Sequence, residues 1–195
     1  MDKVTVIFTG RSGSGKGTQA KCLVDYLKEV SDRPTVYFET GPLFRAFAKN
    51  EGYTQSLLKR VIDTGGLAPS FIAVYFWSTY FVERMREDCH LVMDGAPRLS
   101  SEGEMLENAL AFYGRSPDVM HIDISRDEAF ARMSSRGRED DKDPDYINKR
   151  LDWYDKDVVP LIEFFKKHKS IRYHRVDGER DVDAIQAEIR AILSL

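Results

Sequence analysis

The chain has 195 residues, of which 42% are hydrophobic and 31% charged, and its formal net charge at pH 7 is −3. This composition is typical of a soluble globular protein of about one domain, and no apolar run is long enough to cross a bilayer. The negative charge argues against nucleic acid as a partner, and the lack of a signal-peptide pattern and of a disulfide framework predicts a cytoplasmic location.

Short apolar segments alternate along the chain with amphipathic helical patterns. Strands separated by helices predict an α/β fold in which a parallel five-stranded sheet is covered by helices on both faces. Residues 41–88 carry helical patterns only, which predicts a helical insertion between two strands, and Pro160 should interrupt a later helix. The strand candidates are 3–10, 35–39, 90–94, 119–125 and 171–177.

Aromatic residues at helical spacing are interpreted as packing residues. Phe71, Tyr75 and Phe81 lie at such spacing in the helical insertion, and Trp153 and Tyr154 lie in the helix before Pro160. We therefore expect these five side chains to be buried.

A glycine-rich segment, GRSGSGKGTQ (10–19), follows the first strand and precedes a helix. Gly10, Gly15 and Lys16 match the pattern G-x-x-x-x-G-K, in which loop amides and a helix N-terminus cradle phosphates and the lysine reaches the outer ones. The pattern predicts a P-loop NTPase fold, a three-layer sandwich. The residues expected to contact the phosphates of ATP are Gly13, Ser14, Gly15, Lys16, Gly17 and Thr18.

The residue after the lysine is unusual for a P-loop. In most such loops a hydroxyl residue stands there and ligates magnesium, whereas here Gly17 follows Lys16 and Thr18 comes one position later. Magnesium, the predicted cofactor, should therefore be held through water. Asp94, which ends the apolar strand HLVMD, is the expected carboxylate, and Thr18 would contribute weakly.

Gly17-Thr18-Gln19 is the typical continuation of the P-loop in adenylate kinases, and the chain resembles the adenylate kinase and nucleoside monophosphate kinase family, in its short-lid form. Among the departures from the family pattern, Pro42 stands for the usual Asp and Ala96 for Phe. The segments that carry the resemblance, in order, are ETGPLFR (39–45), GGLAP (65–69), DGAPR (94–98), RMSSRGREDD (132–141), NKRLDWY (148–154) and DGER (177–180).

The resemblance implies a site for the nucleoside monophosphate acceptor. Thr40 is expected to contact the acceptor base, and Arg45 and Arg98 its phosphate. The full set implied by the resemblance is Thr40, Gly41, Arg45, Gly66, Leu67, Ala68, Gly95, Arg98, Glu102 and Arg138.

The resemblance also implies the residues that bind ATP and stabilise the transferring group. Arg132 would stack on the ATP base, and Arg136 and Arg180 would also contact ATP. Asp140 and Asp141 match the paired aspartates of the family's lid. The implied catalytic residues are Lys16, Arg98, Arg136, Arg138 and Arg150.

The implied organisation is a single domain over residues 1–195, with an acceptor-binding insertion at about 40–70 and a short lid at about 137–145. The lid contains no cysteine, so no structural zinc is expected, and the family resemblance implies a monomer. The implied reaction is ATP + AMP = 2 ADP. Phosphoryl transfer needs positioning and cations rather than a nucleophilic side chain, and the arginines above would supply them.

The motifs do not determine which base the acceptor nucleotide carries. Adenylate kinases usually have glutamine at the position of Glu102, and a carboxylate suits the donors of guanine or cytosine better than adenine. GMP, CMP or UMP are therefore alternative acceptors. Glu102 is equally well explained as an acidic residue in the first turn of a helix.

Two further functions use the same P-loop. One is a kinase for a non-nucleotide metabolite, which the arginines Arg45 and Arg98 argue against because both fit a nucleotide phosphate. The other is a nucleotide-binding protein without catalysis, which would be expected to lack Lys16 or the lid arginines, and none is missing.

Overall fold

The computed structural model describes residues 1–137, 141 and 143–195, and five parallel strands form its centre. In the sheet the strands lie in the order β2-β3-β1-β4-β5, so the crossover connections place helices on both faces. The predicted α/β fold with a five-stranded parallel sheet is confirmed. The strands are β1 (Thr5–Thr9), β2 (Thr35–Glu39), β3 (His90–Asp94), β4 (Asp118–Asp123) and β5 (Arg172–Asp177).

Helices connect the strands, and the junction between two of them is not α-helical. A π-helical turn, Tyr154–Val158, joins α7 to α8, and Pro160 lies in the first turn of α8. Proline has no N–H to bond to the carbonyl four residues before it, so the predicted interruption is confirmed. The α-helices of the described residues are α1 (Lys16–Val30), α2 (Thr40–Ala48), α3 (Tyr53–Asp63), α4 (Ser70–Arg84), α5 (Ser100–Phe112), α6 (Arg126–Ser135), α7 (Pro144–Trp153), α8 (Val159–Lys167) and α9 (Val182–Ile192).

Two apolar layers cover the sheet. On one face Trp77, Phe81 and Phe165, from α4 and α8, pack with strand residues and with α5. On the other face Leu27 of α1 and Ile189 of α9 pack against the remaining strand side chains. The three central strands β1, β3 and β4 are buried along nearly their whole length, which explains why their segments are mainly apolar, whereas the edge strand β5 is largely exposed and polar.

The helices between β2 and β3 contain a smaller apolar cluster of their own. Phe44 of α2, Leu58 of α3 and Ile72 of α4 pack together there. Phe81 is buried as predicted, but Phe71 and Tyr75 are exposed over 68% and 61% of their surface, so their predicted burial is wrong. Because α4 is apolar on nearly all sides, its periodicity does not reveal which side faces the protein.

Within the described part of the chain, no helix combines the length and the apolar character that a membrane span requires.

Arg115, which follows α5, is a buried cation with a structural role. Its guanidinium donates to the Thr5 hydroxyl at 3.2 Å and to the backbone carbonyls of Cys89 at 2.9 Å and Arg86 at 3.1 Å. These bonds join the start of β1 to the residues that lead into β3. Only 7% of Arg115 is exposed, so its loss would leave buried acceptors without donors.

Replacing Arg115 by methionine should lower the free energy of unfolding by about 2–4 kcal/mol, because carbonyl oxygens would then be buried without partners. Urea denaturation followed by circular dichroism measures this. Arg60→Met on the exposed side of α3 is the matched control and should change stability by less than about 0.5 kcal/mol. Equal unfolding midpoints for the two variants would contradict the assignment.

Candidate active site

The glycine-rich loop lies between β1 and the first turn of α1. Gly13 and Gly15 both adopt φ of 85°, a left-handed conformation that other residues rarely take, and α1 begins immediately afterwards at Lys16. The ammonium of Lys16 donates to the Arg11 carbonyl at 3.1 Å, across the loop. A helix N-terminus, a glycine loop and a lysine thus meet at one point, as an anion site requires.

Asp94 explains why glycine follows the P-loop lysine. A Cβ atom on Gly17 would lie 2.9 Å from Asp94 Oδ2, so a serine or threonine at this position would collide with the carboxylate. Asp94 is only 7% exposed, and its Oδ1 has no hydrogen-bond partner among the described residues. Burial raises the pKa of Asp94, while the nearby Lys16 acts in the opposite direction.

The unpaired Asp94 oxygen fits the expected magnesium. Asp94 lines the cleft next to the P-loop, and a water molecule bound to a metal would supply the donor that the buried oxygen lacks. Thr18 lines the same cleft and is exposed. Among the described residues, no group of three or more His, Cys, Asp or Glu side chains could hold a metal by itself.

The cleft beside the P-loop has a volume of about 370 Å³, and its charged lining is mainly positive. Glu39 and Asp94 are the carboxylates in this lining. On a protein with a net charge of −3, this arrangement concentrates positive potential at one place, which suits a polyanionic ligand. The lining cations are Lys16, Lys21, Arg45, Arg98, Arg132, Arg136 and Arg150.

Asp141 holds two of these arginines in place. Its carboxylate is buried, forms a two-point ion pair with Arg136, and accepts from Arg150 Nη1 at 3.3 Å. Arg150 Nη2 also donates to the hydroxyl of Ser12 in the P-loop at 3.0 Å. The pair is therefore aimed at the phosphate cradle. Arg138 and Asp140, which the sequence assigned to the same region, lie outside the described residues, as does part of the predicted lid.

Arg98 lies where two cavities meet. Its Nε donates to the Gly95 carbonyl at 2.7 Å, and its guanidinium lies 5.5 Å from the centre of the Trp153 ring. Burial, together with the nearby charge of Arg150, lowers the pKa of Arg98 to about 10. The guanidinium is still charged at neutral pH and is poorly solvated, so an anion would bind it strongly.

The second cavity, of about 60 Å³, lies between the helical insertion and α7. Trp153 donates to the Gly65 carbonyl at 3.2 Å and Tyr146 to the Ile62 carbonyl at 3.0 Å, so α7 contacts the end of α3 and the following loop. Trp153 was interpreted as a core residue; it does pack against the cluster of Tyr154, Val158 and Ile162, but its side chain also lines the cavity. The lining residues are Gly41, Phe44, Arg45, Ile62, Gly65, Gly66, Arg98, Tyr146, Arg150 and Trp153.

Most described residues that the sequence assigned to a site line one of the two cavities. Two of the exceptions have polar partners elsewhere: the Thr40 hydroxyl donates to the Asp94 carbonyl at 3.1 Å, and Arg180 pairs with Glu188. The residues that line a cavity are Gly13, Gly15, Lys16, Gly17, Thr18, Gly41, Arg45, Gly66, Asp94, Gly95, Arg98, Arg132, Arg136 and Arg150. Those outside both linings are Ser14, Thr40, Leu67, Ala68, Glu102 and Arg180.

Arg132 connects the P-loop cleft to the loop before α9. Its Nη1 donates to the Gly178 carbonyl at 2.9 Å and its Nε to Glu128 Oε1 at 2.6 Å. The segment DGER therefore lies beside the arginine that the resemblance assigned to the ATP base. A Cβ atom on Gly178 would lie 2.6 Å from Ile122 Cγ2, so glycine is required for the loop to approach β4.

The contacts of Glu102 support its alternative role at the start of a helix. It is the third residue of α5, 1% exposed, and Oε2 accepts from the Arg98 backbone amide at 2.7 Å. Burial raises the pKa of Glu102, and bonds from the amides of Arg98 and Leu99 and from the Ser70 hydroxyl oppose that rise. The carboxylate is thus occupied by groups of the protein and lies in neither cavity lining.

Sequence reasoning missed several residues around the site. Arg11 is one: its guanidinium stacks on Tyr154 at 4.3 Å, pairs with Asp155 and donates to the Ile124 carbonyl at 3.3 Å. Its position inside the P-loop was the one available signal, because its partners are more than 100 residues away in the chain. The other residues missed are Ser12, Lys21, Glu39, Tyr146, Trp153 and Gly178.

The chain as a whole is similar to known proteins of one family. A family model described as adenylate kinase matches residues 8–170. The adenylate kinase of Shouchella clausii (strain KSM-K16) is 30% identical, and the alignment covers 98% of each chain. A Synechococcus adenylate kinase is also 30% identical, over 96% of this chain and 95% of that protein. So is UMP-CMP kinase 1 of Oryza sativa subsp. japonica, over 98% of this chain and 75% of the rice protein.

Two substitutions at Glu102 test whether the residue supports a helix or contacts a base. Glu102→Ala should lower the free energy of unfolding by about 1–3 kcal/mol, because buried backbone amides lose their acceptor. Glu102→Gln keeps an acceptor oxygen and should leave the ratio of kcat/KM between different nucleoside monophosphates unchanged within about twofold. A larger change in that ratio would indicate that Glu102 contacts the acceptor base.

Lys16 should take up a proton when a phosphate binds. Burial lowers the pKa of Lys16 to about 8, and a phosphate anion beside it raises the pKa again, so affinity for ATP falls as the pH rises through that value. At pH 8.5, calorimetry of metal-free ATP in two buffers of different ionisation enthalpy should detect an uptake of about 0.7 proton. Lys16→Arg, which stays charged, should abolish most of the uptake. Equal uptake in both proteins would contradict the assignment.

Proposed function

The chain belongs to the adenylate kinase family, and from this premise we propose that AMP is the acceptor of the phosphoryl group that this nucleoside monophosphate kinase transfers from ATP. The reaction would be ATP + AMP = 2 ADP, and it is reversible. The relatives named adenylate kinase support this choice. The contacts of Glu102 support it as well, because a carboxylate held by α5 gives no reason to exclude adenine.

One observation carries the proposal: the P-loop cleft and the cavity under the insertion meet at shared arginines. Arg45, Arg98 and Arg150 line both cavities. A donor with its phosphates on the P-loop and an acceptor with its phosphate toward these arginines would face each other. A kinase for an uncharged acceptor would have no use for cations at the junction.

In the proposed reaction an oxygen of the AMP phosphate attacks the terminal phosphorus of ATP in line. The bond from that phosphorus to the bridging oxygen of the β-phosphate breaks, and ADP leaves. Lys16 balances charge on the outer phosphates, while Arg98, Arg136 and Arg150 stabilise the equatorial oxygens of the transferring group. No side chain forms a bond to phosphorus.

Magnesium would bind together with the ATP phosphates. When bound, it neutralises phosphate charge that the cations of the protein leave uncompensated. Asp94 would hold it through water, with a weaker contact from Thr18, and Gly17 leaves the space that Asp94 occupies.

The remaining site residues are proposed to enclose the two nucleotides. Thr40, Leu67 and Ala68 would bound the acceptor base through backbone and side-chain contacts, and Arg138 would reach the acceptor phosphate from the lid. The insertion at about 40–70 and the lid at about 137–145 would close over the site and exclude water, which is a competing acceptor.

A pyrimidine nucleotide is the second candidate acceptor, because a UMP-CMP kinase is as similar to this chain as the adenylate kinases reported above. A coupled assay with ATP and AMP, GMP, CMP or UMP separates the candidates. We expect kcat/KM to be at least about tenfold higher for AMP. A preference for CMP or UMP would overturn the choice of AMP. ATP binding without transfer to any of the four would overturn the kinase function itself.

Removing the proposed phosphate contacts should stop the reaction without unfolding the protein. Lys16→Ala and Arg98→Ala should each lower kcat by about 10²–10³-fold, because each removes a cation from the transition state. Lys28→Ala, at the exposed far end of the same helix as Lys16, is the control and should retain activity. Circular dichroism checks the fold. Near-normal turnover in either active-site variant would count against its role.

A further inference from the structure

Two carboxylates end neighbouring strands beside the P-loop, and only Asp94 has been given a role. Glu39 is the last residue of β2 and is the register partner of Asp94, the last residue of β3. Because paired residues of parallel strands project from the same face of a sheet, the two side chains leave the sheet on the same side. Both line the P-loop cleft.

The surroundings of the two carboxylates indicate a place for a cation. Asp94 is buried with Oδ1 unpaired among the described residues, and Glu39 forms an ion pair with Lys21 at 3.4 Å. A hard divalent cation prefers such oxygen atoms and keeps water between itself and the carboxylates.

Glu39 lies near Pro42, a position at which this chain lacks a carboxylate that the family pattern usually has. The family pattern usually has Asp at this third position of α2, and this chain has none there. Glu39 is the N-cap residue of the same helix. The N-cap and the third helical residue lie side by side on the first turn, so Glu39 supplies a carboxylate close to the place where the pattern usually has one.

We propose that Glu39 is a second carboxylate for the divalent cation that accompanies the nucleotide phosphates, acting through water together with Asp94. The proposal rests on the proposed function, in which ATP occupies the P-loop cleft. Glu39 would offset charge on the hydrated cation, and Lys21 would keep Glu39 at the edge of the cleft when the cation is absent.

The test compares the affinity for ATP with and without magnesium, by titration calorimetry in EDTA and in saturating Mg²⁺. The magnesium ratio is the affinity for ATP in Mg²⁺ divided by the affinity in EDTA. In Glu39→Gln this ratio should fall about tenfold, because binding with magnesium becomes weaker. Binding of metal-free ATP should stay equal or become tighter, because a negative charge near the phosphates is gone. Asp94→Asn should shift the ratio in the same direction.

Two further variants separate this role from a structural one. Glu83→Gln, on the exposed side of α4, should leave the ratio unchanged. Lys21→Met removes the partner of Glu39 but keeps the carboxylate, so the magnesium ratio should not fall in this variant. If Glu39→Gln failed to fold, Glu39→Asp would carry the test, with an intermediate fall in the ratio expected because the charge is one methylene further back.

The outcomes distinguish this proposal from the proposed function. An unchanged ratio in the Glu39 variants, or an equal loss of affinity with and without magnesium, would overturn the role of Glu39 and leave the kinase function intact. A reduced ratio in a protein that transfers phosphate to no nucleoside monophosphate would support the cation site while refuting the acceptor.

Discussion

Positive charge crowded into a small cleft is the physical constraint on which the rest of this structure depends. The side chains of Lys16 and Arg98 are poorly hydrated and near other cations, which lowers their pKa values to about 8 and about 10. Asp94 and Asp141 offset only part of that charge. The site is therefore most stable with anionic phosphates bound, and the charge spread over a transferring phosphoryl group fits it well.

The fold makes this crowding possible because it brings rigid elements to one edge of the sheet. β1 leads into the P-loop and β3 ends at Asp94, while the apolar layers on both faces hold these strand ends in place. Asp94 approaches α1 so closely that Gly17 has no room for a side chain. A buried carboxylate thus takes the space in which a hydroxyl side chain after Lys16 would lie, and this depends on one contact between β3 and α1.

The acceptor side is built differently, from contacts between helices rather than from strand ends. Trp153 and Tyr146 of α7 donate to carbonyls at the end of α3, which closes a small cavity around Arg98. Glu102, the residue whose chemistry seemed to bear on the base, is held by amides at the start of α5. If this cavity takes the acceptor, as proposed, its walls rather than that carboxylate would select among the bases.

The sequence by itself determined the class of fold, the P-loop and most of the cationic residues of the cleft. These features depend on local patterns: apolar strand segments, glycine spacing before a lysine, and motifs whose order along the chain follows the family. Helix interruption at Pro160 is of the same kind, since proline lacks the N–H that a continuous α-helix needs.

Tertiary structure alone decided which side chains face the cavities and which support the scaffold. Trp153 lines a cavity, Glu102 and Arg115 are occupied by backbone groups, and Phe71 lies in solvent. Glu39 becomes a partner of Asp94 only through the pairing of β2 with β3. The contacts of Trp153, Arg115 and Glu39 are set by neighbours distant in the chain, about which no local pattern carries information, whereas Glu102 is held by an amide only four residues away.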